Sequence, residues 1–150
     1  MSLEKCLFTP KEVGEVVGVS YRQIRYWGKT GFIKPTAMRN GKHRLFTKKD
    51  VCLFAAAKHF REHYSIPKLR GFMQDIAQGL RDCYLPLPGL VILIQGGRAF
   101  VISGQVVGSF PGTHVFSLAP VCETIKQMYP DTEDGLRLSK SLRIVGPMAA

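Results

Sequence analysis

The sequence predicts an α+β chain of 150 residues in two parts, a four-helix domain followed by a small antiparallel β-meander domain with one helix. Three observations carry that reading. Apolar residues in the first half recur at i, i+3 and i+4 between helix-capping signals. Leu85-Pro86-Leu87-Pro88-Gly89 then breaks any helix, because proline lacks the amide proton and clashes with the preceding turn. Beyond it, β-rich runs are split by glycines. The expected division is a first domain over 1–84, a proline-rich linker over 85–89 and a β-rich domain over 90–150.

Thr9-Pro10-Lys11-Glu12 starts the first helix: Thr9 caps it, Pro10 takes the first helical position and Glu12 closes a capping box. Val13, Val16 and Val17 form its buried stripe, and Gly18 ends it. Ser20 opens a second helix almost at once, with Gln23 placed to complete another box, and Gly31 and Pro35 stop the chain beyond it. Two short helices so tightly joined make a helix-turn-helix, the second being the one that enters a major groove. On that helix Ile24 and Trp27 share a buried face, while Tyr21, Arg22 and Arg25 project elsewhere as donors and a cationic edge. Trp27 is read as core rather than as a base-stacking ring.

Asn40-Gly41 is the preferred type I′ hairpin turn, in a segment studded with Arg39, Lys42, His43 and Arg44. A cationic hairpin directly after a recognition helix is a wing, placed to grip flanking phosphates or a minor groove. Thr47 and Asp50 open a third helix over about 48–64, with Val51, Phe54, Ala57, Phe60 and Tyr64 as its apolar stripe. Ser65 caps a fourth over about 66–81, where Ile66, Leu69, Met73, Ile76 and Leu80 recur at helical spacing. Runs at 90–95, 98–103 and 106–110 then read as a three-strand meander turning at Gly96-Gly97 and Gly104-Gln105. A short strand near 115–118 and a helix near 120–128 follow, and the alternating segment 136–145 stays open between strand, partner-binding edge and disorder.

Charge is distributed unevenly. The net charge is +10, yet residues 1–82 hold sixteen Lys and Arg against seven Asp and Glu, whereas residues 83–150 hold five against four. The basic excess belongs to the helical half, where it attracts polyanions, nucleic acid first. Arg22, Arg25 and Lys29 are read as phosphate or base contacts rather than as a merely solvated face. Cys6, Cys52, Cys83 and Cys122 form no close pair, so they read as free thiols of a reducing cytoplasm. No stretch approaches the roughly 20 apolar residues of a membrane span. His59 and His63, four apart with Glu62 between them, could share a metal ion, but no third ligand has a recognisable spacing. They read as a surface pair, so neither metal nor cofactor is expected. No phosphate-binding loop, nucleophile elbow or zinc-protease motif is present, so an enzyme is not expected.

The residues Thr9 to Gly14, Val19-Ser20, Arg22 to Trp27, Gly31 to Pro35, Arg44 to Phe46 and Asp50-Val51 arrive in an order that resembles the winged helix-turn-helix of the MerR regulator family, over about residues 7–80. The resemblance implies bacterial transcriptional control through duplex DNA, in the cytoplasm and at the nucleoid. It places Arg22, Arg25 and Tyr26 on bases and backbone, Arg44 on phosphate, and Tyr21 where the sequence read is set. With Lys29, Arg39, Lys42 and His43, these are the expected DNA-binding residues. Members of the family pair through a long helix after the fourth, which Pro86 and Pro88 exclude here. The β-rich part is therefore expected to supply homodimerisation, with a contact to RNA polymerase as a further partner. Two alternatives stay open: an architectural factor in excision or plasmid partition, and a sensor gated by a small ligand.

Overall fold

Capping chemistry sets the starts of the first three helices. In the computed structural model, which describes residues 7–30, 33, 37–39, 43–104 and 114–129, α1 (Pro10–Val17) opens on the expected box. Glu12 N–H donates to Thr9 Oγ1 at 3.2 Å and Thr9 N–H to Glu12 Oε1 at 3.0 Å. Gly18 ends the helix at φ 85°, in the left-handed region that favours glycine, and Lys58 Nζ donates to the Val17 carbonyl at 3.1 Å. The turn into α2 (Tyr21–Lys29) is so close that a Cβ on Gly14 would sit 2.7 Å from the Val19 carbonyl oxygen. α2 has only half of its expected box: Gln23 N–H donates to Ser20 Oγ at 3.0 Å, with no reciprocal bond from the Gln23 side chain. The site is exposed, where water serves that amide as well.

The wing is an antiparallel pair, β1 (Ala37–Arg39) with β2 (His43–Leu45). Arg39 lies opposite His43, and the expected Asn40-Gly41 turn falls outside the described residues. Phe46, just past β2, exchanges both backbone hydrogen bonds with Phe8, at 2.7 and 2.9 Å. That bridge ties the entrance of α1 to the exit of the wing.

α3 (Lys48–Phe60) repeats the capping box through Thr47 and Asp50 and stops four residues short of the expected end. Tyr64, the last residue of the expected stripe, lies half-buried beyond it. His63 and Tyr64 N–H both donate to the Phe60 carbonyl, closing the helix in a turn. The expected single stripe is also too narrow, since Cys52, Leu53, Ala55 and Ala56 are buried along with Val51, Phe54, Ala57 and Phe60. A helix that is apolar all round is a core helix. α4 (Ile66–Asp82) buries Leu69, Met73, Ile76 and Leu80 as expected, but Ile66, in its first turn, is 49% exposed and Ser65 makes no side-chain cap bond.

After a 3-10 turn at Leu87–Gly89 come β3 (Leu90–Gln95), β4 (Arg98–Ser103) and β5 (His114–Ser117), then α5 (Ala119–Met128). Gly96 and Gly97, at φ 61° and 78°, make the tight β3–β4 turn. The three strands are antiparallel in the order β4-β3-β5, so the strand near 115–118 joins the sheet beside β3 rather than extending a simple meander. This centres the most apolar strand, whose Leu90 to Ile94 are all buried. The expected strand at 106–110 and the tail at 136–145 lie outside the described residues.

One continuous apolar cluster runs from Phe8, Val13 and Trp27 through α3 and α4 to Leu90, Ile92, Leu118 and Ile125. α4 lies on β4, where a Cβ on Gly79 would approach a Val101 methyl at 2.8 Å. Arg98 Nε and Nη2 reach both oxygens of Asp75, at 3.0 and 3.2 Å, and Ala99 N–H donates to the same carboxylate at 3.1 Å. Tyr129 Oη donates to Glu15 Oε1 at 2.9 Å, tying the end of α5 to α1.

Two predictions follow from this packing. Gly14→Ala will destabilise the fold by about 1–3 kcal/mol, because its methyl meets a backbone oxygen that cannot rotate away. Gly71→Ala, in open space on α4, will stabilise by about 0.5–1 kcal/mol; urea unfolding midpoints read both. The second concerns acid. Burial raises the Asp75 carboxyl, but hydrogen bonds from Arg98 and Ala99 N–H and the Arg98 charge outweigh it and hold the pKa below its ordinary value. A depressed folded-state pKa gives stability that is present above the unfolded value and is lost as pH falls through the folded one. Asp75→Asn will therefore lose less stability than the native chain on acidification below the carboxylate range, measured by urea unfolding at neutral and acid pH.

Candidate nucleic-acid interface

α2 turns its two faces to different surroundings. Ile24, Trp27 and Gly28 are buried, with Trp27 stacked on Phe54 at a ring separation of 5.9 Å and 17° between planes. Trp27 is thus core, as its spacing predicts. Arg61 lies over the outer face of the same indole, 5.4 Å from its centre. At 3.6 residues per turn, Tyr21, Arg22, Arg25, Tyr26 and Lys29 fall within an arc of roughly 140° opposite that buried face.

All five are exposed, Tyr21 by 51% and Tyr26 by 59%. The Arg25 guanidinium sits 5.6 Å from the centre of the Tyr21 ring, a cation–π contact that holds both side chains on the outer surface. Among the described residues no carboxylate pairs with Arg22, Arg25 or Lys29, and α2 has no acidic residue. Such a stripe offers guanidinium, ammonium and phenol donors to phosphate oxygens and base edges. In the wing, the backbones of Arg39, His43 and Arg44 lie on paired strands following α2. Lys42 and the side chains of Arg39, His43 and Arg44 lie outside the described residues.

The fold brings together two groups that the sequence keeps apart. Cys52 lies beside Cys122, 70 positions on; a hydrogen bond with that thiol and complete burial push the Cys52 thiol well above its ordinary pKa, which leaves it protonated and weakly nucleophilic. His114 joins His59 and His63, with all three ligand atoms within 4.8 Å of one another. The expectation of a two-histidine surface pair is thereby corrected. No spacing rule reaches across 51 residues, so only the strand pairing could have found the third imidazole.

A tight helix-turn-helix followed by a two-stranded wing and two further helices defines a winged helix-turn-helix fold. Residues 8–76 match the family described as MerR HTH family regulatory protein. Over those residues the chain is similar to that family's helix-turn-helix domain. A crystal structure of a transcriptional regulator of the MerR family from Bacillus cereus is 26% identical, with a TM-score of 0.42 over 45% of this chain and 52% of that one. The match spans about half the length of that structure. No curated protein sequence matches the chain. Among the described residues no helix is long and apolar enough to cross a membrane.

Proposed function

We propose that this protein is a sequence-specific duplex DNA-binding transcriptional regulator that acts at a promoter as a homodimer. The observation that carries the proposal is the exposed stripe Tyr21, Arg22, Arg25, Tyr26 and Lys29 on the second helix of a MerR-like domain, on the face opposite a rigidly packed Trp27. Arg22 and Arg25 read base edges and backbone, Lys29 neutralises phosphate, and the wing residues Arg39, Lys42, His43 and Arg44 hold the flanking backbone. A rigid buried face matters because bidentate arginine–guanine readout depends on fixed geometry.

Dimerisation is assigned to the part from residue 90 onward. Leu90, Ile92 and Ile94 face the core, so the alternation of β3 turns Val91 and Leu93 to the other side of the sheet. There Leu93 stands between Phe100 and Val115, which are 42% and 40% exposed. This half is nearly neutral, so two copies can meet through it without the repulsion that would separate the basic halves. Two-fold pairing supplies a second recognition helix for a half-site about one DNA turn away.

Binding to duplex from around the protein's own gene, against random duplex across a salt series, tests the DNA reading. The specific duplex is expected to win by roughly a thousandfold or more. Arg25→Ala will erase the preference, and Lys29→Ala will weaken both duplexes alike and reduce the salt slope by about one. Equal binding of both duplexes would reduce the basic half to a polyanion grip. Separately, Phe100→Asp is expected to convert the dimer to monomer in sedimentation velocity without changing the helical circular dichroism signal.

A further inference from the structure

We propose that His59, His63 and His114 form a metal site that takes one zinc-class divalent transition ion and clamps strand β5 to the end of helix α3. The proposal is independent of the DNA-binding reading. It rests on convergence: three imidazoles from two separate elements bring their ligand nitrogens within 4.8 Å of one another. The closest pair, His59 Nε2 and His114 Nε2, stands 2.9 Å apart. A tetrahedral ion with zinc–nitrogen bonds of about 2.0–2.1 Å spaces its ligand nitrogens by roughly 3.3–3.4 Å. The cluster brackets that value, and His63, the exposed member, can close the remaining distance by side-chain rotation.

The elements that hold the three rings are themselves well fixed. His59 sits in the last turn of α3, and its ring stacks on Phe116 at 4.6 Å and 27°. His63 falls in the closing turn whose N–H bonds converge on the Phe60 carbonyl. His114 is paired with Ile94 at the start of β5 and lies edge-on to Phe60 at 4.9 Å. Phe60 and Phe116 make an apolar bed beneath the cluster. On its far ring nitrogen, His114 Nδ1 stands 3.5 Å from Tyr64 Oη, an outer partner that leaves Nε2 to face the other two imidazoles.

The electrostatics suit a cation. Burial first, and then their histidine neighbours, lower the pKa of His59 and of His114, with Glu62 opposing at His59, which favours the neutral ring that ligates a metal. Without an ion, His59 and His114 can share one proton between their Nε2 atoms. A bound ion takes that place as the proton moves to His114 Nδ1, which faces the Tyr64 hydroxyl oxygen, and it recruits His63. Three imidazoles with no thiolate select zinc, copper, nickel or cobalt over magnesium or calcium, which prefer oxygen. His59 also lines a cleft of about 280 Å³ between α1, α3, β5 and α5, which opens one side of the cluster to solvent.

The test uses the full chain, untagged and stripped with chelator, titrated calorimetrically with zinc chloride and spectroscopically with cobalt(II). The expected result is one equivalent of zinc per chain and visible cobalt bands of four-coordinate intensity. His63→Ala, at an exposed position, is expected to weaken zinc by more than the roughly 10–100-fold that loss of an outer-shell partner costs. It should also abolish the zinc-dependent rise in thermal midpoint, while His43→Ala, the fourth histidine, changes neither. His114→Gln should behave like His63→Ala and so tie β5 to the ion. Failure to take up one equivalent, or undiminished binding by His63→Ala, would overturn the proposal.

Discussion

α3 is the constraint on which the rest of the structure depends. Eight of its thirteen residues are buried apolar side chains, so it is stable only when covered on every side. α1, α4 and α5 each supply part of the cover, and Trp27 and Phe46 close on Phe54 from the helix-turn-helix and the wing. The recognition stripe of α2 is consequently oriented by the packing of a helix that it does not belong to.

Much of the first half was legible in the sequence because its signals are local. A cap and its box partner lie three residues apart, so Thr9 with Glu12 and Thr47 with Asp50 place two helix starts unaided. Gly96-Gly97 announces its own turn in the same way. What escaped was set by long-range packing. The run Val51 to Ala57 is apolar without interruption, a pattern that periodicity alone reads as a stripe and only the surrounding elements reveal as a core helix. The pairing of β5 with β3 was hidden for the same reason, and with it the meeting of His114 with His59 and His63. The exposed stripe on α2 was legible, whereas the surroundings of the wing side chains were not, since nothing local fixes them.

The two compositional halves are joined as well as distinguished. α4 ends at Asp82 and prolines follow at 86 and 88, yet residues on both sides of that break enter the same apolar cluster. Gly79 lets α4 come close enough to Val101 for the Asp75–Arg98 pair and the Ala99 N–H to meet across the joint. The ion pair itself is exposed on the arginine side and so contributes modestly. Its value is directional, since a bidentate guanidinium and a backbone amide on one carboxylate fix the slide of β4 along α4.

The hydrogen bond from Tyr129 to Glu15 links residues 114 positions apart. Closing so long a loop has a large entropic penalty that only the completed neighbourhood can offset. During synthesis α1 and α3 therefore leave the ribosome long before Leu118 and Ile125 arrive to cover them. The nascent chain carries an open apolar seam until α5 is made, and that interval is when a holdase chaperone has most to protect.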